Sequence, residues 1–404
     1  MTSTQPRYRW AVLAIGVAAQ TSFATYSQGL AALGPVFRQR FAIDLVQTGA
    51  LLTAVNVGVA LTLVAWGLLA DRFGERLVLF AGLVGAGLAL AAAAFASGFA
   101  AVFAFLVASG MLGSCANAAS GRAVMAWFGP LERGTALGIR QMGTPLGGAL
   151  GAALLPLLAL AYGFTGALLA LALASAVAGC AAGAWLRDTV RTRREQPAGP
   201  HPLADARIWR LAVGGALLVA GQLSLISYLV IFLYEHRGLP LAVAAGLLAA
   251  VQLGGAVARV VAGRWSDVRR ARIGPMLLIA AAMVAAFLLL GVVAEAPLAL
   301  LLPVLLLTTV LSMSSNGLAF TATGEIAGLA RSATAMGFQN TALFVSGVAG
   351  PIAFAAVVLR LGWQAAFVFL ALLALAGWLV LRPLVNEEAK GWQPARAPAG
   401  PREA

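Results

Sequence analysis

Residues 67–76 read Gly67-Leu-Leu-Ala-Asp71-Arg72-Phe-Gly74-Glu75-Arg76, and this short charged stretch decides how the rest of the chain is interpreted. An apolar run precedes it and another follows it, and each is long enough to cross a bilayer as a helix. The stretch is therefore either a water-facing turn between two membrane helices or a hairpin of a soluble protein.

The overall composition decides between these two interpretations. The chain of 404 residues is 61% hydrophobic and only 10% charged, and its mean hydropathy is +0.92. A soluble domain has an apolar share nearer half, and the apolar stretches lack the alternation that marks a membrane β-barrel. The sequence therefore predicts an all-α polytopic membrane protein, with the lipid bilayer as its partner.

Charged residues, prolines and glycines divide the apolar sequence into twelve predicted spans. These spans are 10–33, 47–70, 77–99, 102–127, 135–160, 165–186, 208–234, 241–263, 273–293, 298–321, 333–358 and 363–382. Each is close to the roughly 20 helical residues that cross the hydrocarbon core of a bilayer. Because the number is even, both termini are expected on the same side.

The distribution of lysine and arginine identifies that side. In this arrangement 20 of the 27 Lys and Arg residues lie on the face of the N-terminus, four lie on the other face and three lie within spans. Loops rich in Lys and Arg stay in the cytoplasm, so we expect two cytoplasmic termini and a multi-pass protein of the cell (inner) membrane. The same distribution accounts for the net charge of +13 without a nucleic-acid partner.

The two halves of the chain repeat each other. The stretch 67–71 recurs as 263–267, again between the second and third spans of its half. Two parallel six-span repeats predict a pseudo-two-fold axis along the membrane normal. We therefore divide the chain into an N-terminal six-helix bundle (1–186), a cytoplasmic linker (187–207), a C-terminal six-helix bundle (208–382) and a disordered cytoplasmic tail (383–404).

The charged stretch resembles the loop 2–3 motif of the major facilitator superfamily, written G-x-L-A-D-R-x-G-R/x-R/K, and its repeat is similar to the degenerate second copy in loop 8–9. The resemblance covers about residues 8–383 and implies two bundles that rock around a central site. It implies a role in the conformational gate for Gly67, Asp71, Arg72, Gly74, Arg76, Gly263 and Asp267. Asp71 ends a helix, where the macrodipole disfavours a carboxylate, so we expect a neighbouring helix N-terminus or an arginine to bind it.

Three arginines fall within predicted spans, whereas no carboxylate clearly does: Arg122, Arg140 and Arg259. Ionisable residues inside a membrane are costly and mark functional sites. Unpaired arginines along a transport pathway favour an anionic substrate. Arg259 shares a polar helix face with Gln252 and Gly255, and its alternative is snorkelling to the membrane interface. For Arg140 the alternative is a position in close helix packing.

Arg122 precedes Trp127-Phe128 and Glu132-Arg133-Gly134. This segment resembles the end of span 4 in the anion:cation symporters of the same superfamily, which implies that Arg122 contacts a carboxylate substrate. Neutral polar residues are predicted to complete the substrate-binding site, and interhelical hydrogen bonding is the alternative for each of them. These residues are Tyr26, Tyr228, Gln252, Asn316 and Asn340.

We interpret the protein as a monomeric secondary transporter of a small organic anion, working by symport with H⁺ or another ion, or by exchange. No cofactor is expected, because the sequence has no Walker-type loop and its two cysteines and two histidines form no metal-binding pattern. The sequence has no nucleophile, base or metal cluster at the spacing that an enzyme would need. Two alternatives stay open, namely an exporter of an amphiphilic compound, drug or siderophore, and a non-transporting membrane sensor.

Overall fold

The computed structural model describes residues 5–43, 45–187 and 202–390, and these residues form helices and short connections without strands. The predicted all-α polytopic fold is confirmed. The helices are α1 (Gln5–Gly29), α2 (Gly34–Phe41), α3 (Leu45–Phe73), α4 (Glu75–Phe95), α5 (Phe99–Gly113), α6 (Cys115–Trp127), α7 (Arg133–Gln141), α8 (Gly143–Trp185), α9 (Ala206–Ile231), α10 (Leu241–Arg269), α11 (Ile273–Val293), α12 (Leu298–Ser312), α13 (Asn316–Ala327), α14 (Ser332–Leu381) and α15 (Leu384–Ala389).

These helices contain the twelve predicted spans. Nine stretches of the described residues are long and apolar enough to cross a membrane, and two of them hold two crossings each. Gly163 in α8 (φ 68°) and Gly362 in α14 (φ 83°) leave the helical conformation, and glycine adopts such positive φ values without steric cost. The more polar α1, with 25 residues, is the remaining span.

Three spans are interrupted along their length, which the apolar pattern does not predict. The interruptions separate α5 from α6, α7 from α8, and α12 from α13. Helix ends leave backbone N–H and C=O groups without intrahelical partners, so each break offers polar groups inside an apolar bundle. The first and third breaks place Asn117 and Asn316 in the first turn of α6 and α13, at corresponding positions of the two halves.

Two large hydrophobic clusters fill the molecule. One consists of residues between Val12 and Leu186 together with Ala333, and the other of residues between Leu211 and Leu384. A smaller cluster joins them, and it includes Val124, Leu137, Val219, Phe320 and Met336. The division at residues 1–186 and 208–382 stays a prediction, and we use N-half and C-half below for the described residues before and after 188–201.

The expected disordered tail is partly folded. Residues Leu384–Ala389 form α15, Leu384 is buried, and Glu388 Oε1 accepts hydrogen bonds from the backbone N–H groups of Arg272 (2.5 Å) and Ile273 (3.2 Å). The expectation of disorder from residue 383 onward is wrong for this helix, because Leu384 continues the apolar face of the last span. Residues 391–404 and most of the predicted linker, 188–201, lie outside the described residues.

Candidate functional site

Asp71 connects the two halves at the end of α3. Its Oδ2 accepts hydrogen bonds from the backbone N–H (2.8 Å) and the hydroxyl (2.5 Å) of Thr334, and its Oδ1 accepts one from the N–H of Ala333 (3.2 Å). Both residues lie in the first turn of α14. A carboxylate satisfies the free N–H groups of a helix N-terminus and its positive dipole end. The partners expected for Asp71 are therefore present, and they belong to the other half.

Asp267 repeats this arrangement in the opposite direction. Its carboxylate accepts hydrogen bonds from the N–H of Gly134 (2.9 Å), and from the N–H (2.7 Å) and the hydroxyl (2.7 Å) of Thr135. These residues begin α7 of the N-half. Sequence reasoning missed both threonines, although the repeated Thr-Ala pairs 135–136 and 334–335 were a usable signal. We call the side of the molecule that contains Asp71 and Asp267 the motif face.

Arg122 belongs to the first of these contacts. Its Nε lies 3.1 Å from Asp71 Oδ1 and donates to the carbonyl oxygen of Leu329 at 3.1 Å, and its Nη1 pairs with Glu75. The expectation that Arg122 is unpaired is wrong. Asp71 and Glu75 lie on either side of the turn at Gly74, so both carboxylates reach the same buried position beside α6. Their distance from Arg122 in the sequence concealed this pairing.

Arg272 completes the second contact. Its guanidinium pairs with Asp267 (2.6 Å) and Glu325 (3.1 Å) of the C-half, and its Nη2 donates to the carbonyl oxygen of Pro130 in the N-half at 2.5 Å. Burial acts to lower the pKa of Arg272, but the carboxylates of Glu325 and Asp267 outweigh it and raise the pKa above the ordinary arginine value. The guanidinium therefore stays charged at neutral pH.

The remaining motif residues lie around the same turn. Gly74 has a φ of 91°, which a glycine adopts without strain. Arg76 donates from Nε to the carbonyl oxygen of Gly183 within the N-half (2.7 Å), and the exposed Arg72 places its guanidinium over the ring of Phe73, 5.2 Å from the centroid. Their predicted role in the gate stays a prediction.

Two motif glycines allow the halves to touch. A Cβ atom at Gly67 would lie 2.6 Å from the carbonyl oxygen of Ala333, and one at Gly263 would lie 2.2 Å from that of Gly134. Real Cβ atoms do not approach backbone so closely, so a side chain at either position forces the helices apart. These two glycines therefore make the closed motif face sterically possible.

Gly263→Ala should open the motif face. The strain of an overpacked contact is about 1–3 kcal/mol, which corresponds to a roughly 5- to 150-fold shift toward open molecules. The measurement is the rate of maleimide labelling at a cysteine replacing the buried Ser332, in a background without Cys115 and Cys180. Gly274→Ala is the matched control, because a Cβ atom there meets nothing within 4 Å. Equal labelling rates in the two variants would contradict the prediction.

Arg140 is fully buried and is surrounded by neutral acceptors. Its Nε donates to the Ser120 hydroxyl (2.9 Å), its Nη1 to Gln141 Oε1 (2.6 Å), and its Nη2 to Gln20 Oε1 (2.8 Å). The same Nη2 also lies within hydrogen-bonding distance of the carbonyl oxygens of Ala116 and Asn117. All three guanidinium nitrogens thus have partners, which hold the side chain firmly between α1, α6 and α7.

Arg259 reaches the same place from the C-half. It is 3% exposed, which excludes snorkelling, and it donates from Nη1 to the carbonyl oxygen of Gln141 (2.6 Å) and from Nε to that of Met313 (3.1 Å). Its Nη2 donates to none of the described residues. The two arginines therefore meet at Gln141, one on its side chain and one on its backbone, and Arg259 keeps one nitrogen available.

No carboxylate among the described residues balances the charge of this pair. Neither Arg140 nor Arg259 forms an ion pair with a carboxylate among residues 5–43, 45–187 and 202–390. Two buried positive charges without a counter-charge are unfavourable in a medium of low dielectric constant. An anion bound between the halves would supply the missing charge.

The predicted neutral residues divide into two groups. Asn316 donates from Nδ2 to Gln222 Oε1 (3.2 Å), and Gln252 lies two helical turns from Arg259 on α10 with its Oε1 unbonded. Asn340 is buried with its Nδ2 unbonded. The other group packs into the hydrophobic clusters, where Tyr26 donates to the carbonyl oxygen of Ser109 (3.3 Å) and Tyr228 packs on the ring of Phe354.

Comparison with known proteins identifies several relatives. The family model described as Major Facilitator Superfamily matches residues 13–351. An uncharacterized MFS-type transporter of Mycobacterium tuberculosis is 32% identical over 372 residues, which are 91% of this chain and 83% of that protein. A hexuronate transporter of Bacillus subtilis is 29% identical over 133 residues, or 33% of this chain and 32% of that protein. The structure of the proton:xylose symporter XylE has a TM-score of 0.75 at 14% identity, covers 94% of this chain and 96% of that one, and is alike in fold.

Proposed function

This chain belongs to the Major Facilitator Superfamily, and from that membership we propose that it moves a small organic anion across a cell membrane by alternating access. It is a multi-pass membrane transporter of this family. The substrate class, the coupling and the direction are the parts that we infer. We place the motif face in the cytoplasm because most Lys and Arg residues lie on that side of the predicted arrangement, and we expect a monomer of the inner membrane.

One observation carries the proposal of an anionic substrate, namely the two buried arginines that meet at Gln141 and have no carboxylate partner in the described part of the chain. A guanidinium binds carboxylates and phosphates strongly because its N–H donors match their geometry. Arg259 has Nη2 left for such a bond, whereas the donors of Arg140 are engaged with protein acceptors. We therefore assign direct contact with the anion to Arg259, and to Arg140 a fixed positive charge beside it.

The contacts of Asp71 and Asp267 supply the gate in this proposal. Each carboxylate binds the N-terminus of a helix of the opposite half, so both contacts must break when the cytoplasmic side opens. Arg122 has both Asp71 and Glu75 as partners, and we assign it to this gate rather than to the substrate. The reverse movement would re-form the same hydrogen bonds and close the cytoplasmic side.

One relative is consistent with an anion as the substrate. Hexuronate, which the Bacillus subtilis relative is named for, is an organic anion. Coupling by symport with H⁺ or another ion, or by exchange of one anion for another, agrees equally well with the site. One argument favours exchange over symport. In an exchanger an anion is bound during both conformational transitions of the cycle, and it would neutralise Arg140 and Arg259 whenever the halves close around them.

Uptake into proteoliposomes tests the proposal. The purified chain is reconstituted and given radiolabelled carboxylates of varied size, each beside its uncharged amide. We expect at least one carboxylate to accumulate, its amide to be excluded, and the same carboxylate preloaded inside to accelerate uptake if the protein exchanges anions. Equal transport of a carboxylate and its amide, or transport of amphiphilic cations alone, would overturn the anionic substrate.

A further inference from the structure

A pair of amide side chains occurs once in each half, at corresponding positions. In the N-half, Gln20 on α1 donates from Nε2 to Asn117 Oδ1 at 3.1 Å. In the C-half, Asn316 on α13 donates from Nδ2 to Gln222 Oε1 on α9 at 3.2 Å. Each pair joins the first span of its half to the fourth, and each asparagine follows the break in that fourth span. The repeat has thus placed the same two side chains on both sides of the molecular centre.

The two pairs differ in their other contacts. The N-half pair is tied to a positive charge, because Gln20 Oε1 accepts a hydrogen bond from Arg140 (2.8 Å). The C-half pair binds no arginine among the described residues. Within the described ranges, Asn316 Oδ1 has no hydrogen-bond partner in the C-half pair, and Asn117 Nδ2 has none in the N-half pair. Both asparagines are more than nine-tenths buried, where an unpaired polar atom is unfavourable.

Asn316 and Arg259 both border the break between α12 and α13. Arg259 Nε donates to the carbonyl oxygen of Met313 (3.1 Å), three residues before Asn316 in the break between α12 and α13. An anion bound at this break would find a donor in Arg259 Nη2 and an acceptor in Asn316 Oδ1.

A carboxylate alone cannot fill both positions. An ionised carboxylate only accepts hydrogen bonds, whereas a hydroxyl also donates one. From these contacts we propose that the substrate is a hydroxylated carboxylate, whose carboxylate binds Arg259 and whose hydroxyl donates to Asn316 Oδ1. This inference rests on the proposed anion transport and narrows its substrate class.

Two six-carbon carboxylates of the same charge test the hydroxyl requirement, gluconate with hydroxyls and hexanoate without them. Affinity is measured on the purified full-length protein from the shift of its thermal unfolding with ligand concentration. A site built to hydrogen-bond a hydroxyl discriminates strongly against an analogue that lacks it, so gluconate should bind on the order of tenfold or more tightly than hexanoate. Equal affinities would overturn the proposal, and this comparison needs no variant.

The variant Asn316→Leu tests whether Asn316 produces the preference for gluconate over hexanoate. We expect gluconate binding to weaken to the level of hexanoate, and hexanoate binding to stay within about twofold of wild type. Thr308→Val is the matched control, since it removes another buried, unpaired oxygen from the same span. The assignment would fail if Asn316→Leu weakened the binding of both ligands equally. It would also fail if the variant changed the affinity for neither ligand, as expected when only water contacts the amide. Failure of anion transport itself would differ, because then neither carboxylate would bind.

Discussion

Arg259→Ala should abolish uptake of the transported carboxylate while leaving the protein folded in the membrane. The variant removes the guanidinium that we assign to the substrate, and a hydrogen bond to a charged group contributes about 1.5–3 kcal/mol. That loss corresponds to a fall of roughly 10- to 150-fold in affinity. The measurements are initial rates of uptake in proteoliposomes and the shift of thermal unfolding with substrate. Arg259→Lys should retain part of the affinity, because it keeps the charge but loses the fork of donors.

A second expected effect of Arg259→Ala concerns the thermal unfolding of the protein without substrate. An unpaired buried charge is a cost in the empty transporter, so Arg259→Ala should unfold at the same temperature as wild type or higher when no substrate is present. Arg207→Ala is the control, because its guanidinium is paired with Asp205 at 2.6 Å outside the central site, and its uptake should stay near normal. Undiminished uptake by Arg259→Ala would contradict the proposal that Arg259 binds an anionic substrate.

Asp71→Asn should reduce flux strongly while substrate binding and membrane insertion stay close to wild type. The amide loses the charge that pairs with Arg122 and favours the N-terminus of α14. Breaking a buried ion pair from one side costs about 3–5 kcal/mol, and here the loss falls on the closed cytoplasmic side. The transporter would then rest in the inward-open state, and uptake should fall at least about tenfold.

A control and a double variant make this prediction specific to the gate. Glu132→Gln breaks an ion pair on the same face, but that pair with Arg9 is solvent-exposed and such pairs contribute about 1 kcal/mol or less, so flux should change little. In the double variant of Asp71→Asn and Thr334→Val, the loss of flux, expressed as a free energy, should be smaller than the sum of the two single losses. Both changes remove parts of one contact. Normal flux in Asp71→Asn, or strict additivity with Thr334→Val, would contradict the assignment of Asp71 to the gate.

The central site was predictable only in part. Arg140 and Arg259 were recognised because an ionisable residue within an apolar span is costly wherever it lies, and this argument needs no partner. Gln141 was not recognised, since an uncharged glutamine within a span carries no such signal, yet both arginines bind it. Tyr26 and Tyr228 were nominated for their polarity, but their rings pack into the hydrophobic clusters. A tyrosine has a polar hydroxyl and an apolar ring. The sequence alone does not show whether the hydroxyl lines a site or the ring packs in the core.

The sequence by itself determined the class of fold, the number of spans and the pairing of the two motif copies. These features depend on local properties, since a run of apolar residues must satisfy its own backbone hydrogen bonds in lipid and therefore forms a helix. Only the tertiary structure decided which charges meet. Arg122 binds Asp71 and Glu75, Arg272 binds Asp267 and Glu325, and Arg140 and Arg259 converge on Gln141. Such partners are set by how the helices pack in three dimensions, and distance along the chain contains little of that information.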